Sequence, residues 1–167
     1  MLRLVFHSAG VMEVKKARIV YMGKPSTEDS DFAIVHVPVP LSEVFVWADR
    51  FAKGNILMCS GSSQNEEASN YCFKTVLSGG AIQEVGPSAS AGNPFQIVRH
   101  SAPIFHGNSG GPAVDKDGRL VAVNFAATFS TRSMGKPARK YSSAIRLDLS
   151  WLKRLIDKDA AEQSGGY

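Results

Sequence analysis

The segment Phe105-His106-Gly107-Asn108-Ser109-Gly110-Gly111-Pro112 carries the residue types of a nucleophile site. Glycines on both sides of one serine let the backbone turn tightly, expose the hydroxyl, and bring N–H groups to where a substrate oxyanion forms. A serine hydroxyl is a weak nucleophile until a base takes its proton, so this chemistry also needs an imidazole and a group that orients it. Four histidines are candidate bases, namely His7, His36, His100 and His106. None has zinc-ligand spacing to another, and a serine nucleophile served by a base uses neither a metal nor an organic cofactor. Cys59 and Cys72 match neither a zinc knuckle nor a redox Cys-x-x-Cys pair. They are expected as two buried free thiols, a pairing across a hairpin being the alternative.

Two kinds of scaffold can hold such a serine. Gly107-Asn108-Ser109-Gly110-Gly111 satisfies the Gly-x-Ser-x-Gly elbow, whose histidine follows the serine and whose serine opens a helix. Here all four histidines precede Ser109, and Pro112 with the Asp117-Gly118 pair stand where that helix should be. The elbow is excluded. Short apolar runs between turn residues predict strands instead, at 2–6, 16–22, 32–37, 56–60, 71–85, 96–102, 111–115, 120–128 and 142–146. Pro38 and Pro40 divide a first group of three from a second group of six. Asp117-Gly118 marks a tight hairpin soon after Ser109. Only the tail has helical spacing, with Trp151, Leu152, Leu155 and Ile156 following Asp148, and a core-capping helix without catalytic role is expected at 148–163.

With 167 residues, the chain fits one domain, divided as 1–40, 41–147 and 148–163. A 44% hydrophobic and 20% charged composition excludes intrinsic disorder and a coiled coil. No run approaches the roughly 18 apolar residues of a membrane span, and residues 2–6 are too short for a signal-peptide core, so no membrane partner is expected. Nineteen basic residues against 15 acidic give +4, and the basic residues are spread along the chain. The densest group, Arg132, Lys136, Arg139 and Lys140, lacks interleaved aromatics and reads as a solvated loop, so no nucleic acid is expected either.

Gly107-Asn108-Ser109-Gly110-Gly111-Pro112 is similar to the serine motif of trypsin-like (chymotrypsin-fold) serine proteases. Asp31-Phe32-Ala33-Ile34-Val35 resembles the family's aspartate strand, and residues 118–126 resemble the strand that lines its specificity pocket. The resemblance covers roughly residues 2–158 and implies an all-β, chymotrypsin-like double barrel with an incomplete N-terminal barrel and a C-terminal helix. It implies Ser109 as nucleophile, Asp31 as the residue orienting the base, and the N–H groups of Gly107 and Ser109 as the oxyanion hole. Asn124, Phe125 and Ala126 are implied to bind the main chain of a peptide or protein substrate, with His106 at the pocket mouth. The uncharged Pro103 at the pocket base does not support Lys or Arg selectivity. An apolar pocket at Pro103, Ile104 and Ala126 favours small or medium apolar side chains. Peptide hydrolysis through an acyl-enzyme is the activity implied, an inactive peptide-binding module of the same fold the alternative.

The family mechanism needs a histidine upstream of Asp31, and only His7 lies there, at the expected tip of the first hairpin. His7 is therefore expected as a surface residue, His36 as a wall or surface residue, and His100 as a strand residue. Three of about six strands leave a barrel unclosed, with unpaired edges. The expectation is that upstream residues, carrying the missing strands and the catalytic histidine, precede this chain, or that another chain completes the barrel.

Overall fold

The computed structural model describes residues 2–8, 10–23, 32–38, 44–64, 73–88, 95–105, 107–131 and 137–164. It is all-β, with one closed six-stranded barrel, a second, incomplete sheet and a C-terminal helix. Two compact units arise, Met1–Val44 with Leu152–Tyr167, and Phe45–Trp151.

In the first unit β1 (Leu2–Ser8), β2 (Gly10–Met22) and β3 (Ala33–His36) form an antiparallel sheet in that order. The 13-residue β2 is long because its first part pairs with β1 (Ser8↔Gly10 to Leu2↔Ala17) and its last part with β3 (Arg18↔His36 to Met22↔Ala33). It begins at Gly10, six residues before the predicted start, because the hairpin pairing runs up to the turn. His7 lies on β1 opposite Val11. The helix α1 (Leu149–Ser164) starts where Asp148 accepts the Trp151 N–H at 2.6 Å, an N-cap that satisfies one of the helix's orphan donors. Within this unit Asp159 of α1 is buried and takes hydrogen bonds from Arg18, from His36 Nδ1 at 2.6 Å and from Gln163 at 3.0 Å. Desolvation raises the Asp159 pKa, but the His36 hydrogen bond and the Arg18 charge outweigh it, holding the carboxyl below its ordinary range. His36, expected as a wall or surface residue, thus ties β3 to the helix.

In the second unit β4 (Ile56–Gln64), β5 (Phe73–Pro87), β6 (Gln96–His100), β7 (Pro112–Val114), β8 (Leu120–Thr131) and β9 (Pro137–Arg146) close in the order β4-β5-β6-β9-β8-β7. Closure removes the free sheet edges of the barrel body. Strand alternation sends Leu57 and Cys59 of β4, Ile82 of β5, Val98 of β6, Ala113 of β7, Val121 of β8 and Ala144 of β9 into one buried core. Asp117 and Gly118 form the predicted hairpin: Asp115 Oδ1 accepts the N–H groups of Asp117 and Arg119 at 2.9 Å each, and Gly118 sits at φ 75°.

Several expected boundaries move, β4 and β8 running on to Gln64 and Thr131. β6 stops at His100, two residues early, because the chain then turns and Ser101 N–H binds the Ala81 carbonyl. Arg139 and Lys140, expected in a solvated loop, stand on β9, where Phe129↔Arg139 and Thr131↔Pro137 prolong the β8–β9 ladder. Pro137 is tolerated there because a first strand residue can do without its N–H. Arg132 and Lys136 lie outside the described residues.

Candidate active site

The serine loop joins β6 to β7 and is held from three sides. Locally, Asn108 N–H binds the Phe105 carbonyl at 3.0 Å, while Asn108 Oδ1 accepts the Phe105 N–H at 3.1 Å. This closes a turn in which Gly107 takes φ 90° and Gly110 φ 84°, both in the left-handed region that a side chain resists. From β8, the Asn124 carbonyl accepts the Gly110 N–H at 2.8 Å and the Asn124 N–H binds the Gly111 carbonyl at 2.9 Å. From β4, the backbone approaches so closely that a Cβ on Gly111 would lie 2.1 Å from the Ser60 carbonyl oxygen. One on Gly61 would lie 2.6 Å from Asn108 Cα. The motif's last glycine is therefore fixed by packing rather than by a dihedral.

On this frame Ser109 is exposed, with Asn108 beside it fully buried. The N–H groups of Gly107 and Ser109 have no acceptor among the described residues. The Ser109 hydroxyl donates to the Phe125 carbonyl at 3.1 Å. Among the described residues no histidine hydrogen-bonds that hydroxyl. Asp31 and His106 lie outside the described residues, as does Cys72. Pro103 is exposed, and Ile104 belongs to the buried core. Phe125 and Ala126 are half-buried at a bulge, where the β8–β9 register shifts between Asn124 and Ala126.

The side chain of Asn124 points into the barrel. Its Oδ1 accepts a hydrogen bond from His100 Nε2 at 3.0 Å, and its Nδ2 donates to the Pro112 carbonyl at 3.3 Å. Cys59 Sγ completes the cluster, 3.7 Å from Asn124 Oδ1 and 4.0 Å from His100 Nδ1. All three residues are fully buried. Cys59 is a free thiol, and burial pushes it up to about 11, with the Asn124 hydrogen bond pulling the other way. An unreactive, protonated thiol follows. Sequence reasoning misses this polar core behind the serine loop, although a signal for it exists. His100 stands two residues after Val98, and Cys59 two after Leu57, so the pleat places both polar groups on the core face.

The model of the trypsin-like peptidase domain matches residues 5–123. The chain belongs to that family. Its fold recurs in the HtrA-type protease AlgW with decapeptide, at 19% identity and a TM-score of 0.64, covering 93% of this chain and 44% of that one. It recurs in the MamO protease domain from Magnetospirillum magneticum, at 16% identity and 0.55, covering 91% and 72%, and in Deg5, at 21% and 0.54, covering 91% and 64%. This trypsin-like domain thus spans under half the length of the AlgW chain. No curated protein matches the sequence.

Proposed function

We propose that the chain is a single peptidase domain acting as a serine-type endopeptidase. The observation that carries this reading is an exposed Ser109 on a hydrogen-bonded loop, where the Gly107 and Ser109 N–H groups have no acceptor among the described residues, in a chain of the trypsin-like family. In the reaction Ser109 Oγ adds to the substrate carbonyl carbon as its proton passes to a base. The resulting oxyanion takes hydrogen bonds from the Gly107 and Ser109 N–H groups. The C–N bond then breaks, the amine leaves with the proton, and water releases the acyl group from Ser109. Asp31 is assigned the orientation of the base, Asn124, Phe125 and Ala126 the substrate main chain, and Pro103 with His106 the pocket around the side chain.

A second reading is favoured by one observation. The Ser109 proton points at the Phe125 carbonyl, which cannot remove it, so this arrangement also suits a peptide-binding module without turnover. A serine-directed phosphonate probe separates the two. Labelling of the wild type that is lost in Ser109→Ala supports the endopeptidase, and no labelling of the folded protein sinks it in favour of the binding module.

A further inference from the structure

Arg146 ends β9 inside the protein, only 6% exposed. Its guanidinium lies 4.6 Å from the Trp47 ring centre and 5.1 Å from that of Phe51. Nη1 donates to the Leu120 and Val121 carbonyls at 3.1 and 3.2 Å, and Nη2 to the Ala48 carbonyl at 2.8 Å. All three acceptors are neutral, and no carboxylate hydrogen-bonds this guanidinium among the described residues. A guanidinium has five N–H groups, so two remain without an acceptor among the described residues. Burial accordingly pushes its pKa down, with only the charge of Asp49 pulling back. Buried charges normally have a partner of opposite sign.

Arg146 also lines a cavity of about 480 Å³. The other walls are mostly apolar, from Phe51, Val85, Pro87, Phe95 and Leu147, and none belongs to the serine loop. The volume falls in the range of about 300–1,000 Å³ typical of small-molecule sites. Leu149, the first residue of α1, lines it too. Asp148 lines it as well, with its Oδ1 held by the Trp151 N–H of the first helical turn.

We infer that this cavity binds an apolar chain ending in a carboxylate, the carboxylate taking the free N–H groups of Arg146 and the chain lying on Phe51, Val85 and Phe95. A free fatty carboxylate and the C-terminus of an apolar peptide share this chemistry. An alcohol or ester of equal length fills the apolar space but brings no charge to the guanidinium, so it binds about tenfold or more weakly.

The chain's two tryptophans report on the site, Trp47 stacked over Arg146 and Trp151 edge-on to Phe95 at 5.0 Å. The experiment titrates the wild-type protein with octanoate, octanol, and an apolar tripeptide as free acid and as C-terminal amide, so it does not depend on a variant folding. Tryptophan fluorescence gives the affinity and the ¹⁵N-resolved Arg146 Nε–H signal gives the contact. Saturable binding of octanoate or of the peptide acid that moves the Nε–H signal, with octanol or the amide at least tenfold weaker, supports the site, and whichever acid binds tighter assigns the source. Equal affinity for charged and uncharged probes, a fluorescence change that leaves Nε–H unmoved, or no saturable binding overturns it.

Discussion

Gly61→Ala should unseat the serine loop although Gly61 is on another strand and far from Ser109 in sequence. The added Cβ would stand 2.6 Å from Asn108 Cα and 2.8 Å from its Cγ, where ordinary contact begins at 3.4 Å. Rotating the Asn108 side chain relieves the second clash but not the first, because Cα belongs to the backbone. β4 and the loop must therefore part by about 0.8 Å. Overpacking of this kind costs roughly 1–3 kcal/mol. A displacement near 1 Å at a reacting group costs on the order of 10²-fold in rate. Gly79→Ala, on the paired strand β5 opposite Met58, is the control, since nothing lies within 4 Å of its new Cβ. It should be neutral or stabilise by about 0.4–1 kcal/mol through the unfolded chain. Urea unfolding of both variants gives the stability, and the rate of phosphonate labelling relative to wild type gives the loop position. If Gly61→Ala matches Gly79→Ala in urea midpoint and labels at the wild-type rate, the close approach of β4 to the loop does not position Ser109.

Three further outcomes are expected. Because the Asp159 carboxyl is held below its ordinary value of 3.8, its ionised form stabilises the first unit fully above that value and the benefit is lost as pH falls through the depressed one. The urea midpoint of the wild type should therefore drop more steeply below pH 4 than that of Asp159→Asn, and parallel curves would remove the carboxylate from the account. Cys59, pushed up to about 11, should resist iodoacetamide at pH 8 in a Cys72→Ser background and react only as urea opens the barrel; rapid native-state alkylation contradicts its burial. Gly118→Ala forces a side chain into φ 75° with no steric contact, so the cost is that of the dihedral alone, about 1–2 kcal/mol by thermal or urea unfolding, with Gly118→Asn costing less.

Much of the architecture was legible in the residues because its signals are local. Among the described residues the nine strands and the tail helix follow from apolar runs broken by turn residues, and the Asp117-Gly118 hairpin from side-chain chemistry that acts over four residues. The serine motif was legible for the same reason, since Gly107 and Gly110 serve left-handed backbone angles that glycine adopts most cheaply. Strand ends were less so: β2 and β9 run past their apolar stretches because a partner strand continues beside them, and pairing depends on a neighbour remote in sequence.

What surrounds the motif was decided by tertiary structure. Gly111 and Gly61 are glycines because β4 and the serine loop touch, a fact that exists only once the barrel closes. Asn124 is expected to bind the substrate main chain, and its side chain turns inward to His100 and Cys59, three residues from three strands that meet only in the core. His36 reads as an isolated strand histidine until the helix brings Asp159 beside it, more than a hundred residues on. Arg146 reads as one more basic residue until folding places three carbonyls, two aromatic rings and a cavity around it. Sequence determines which chemistry each residue can perform and which short-range turns present it. The closed barrel decides which groups are desolvated, and so which charges and hydrogen bonds must find a partner.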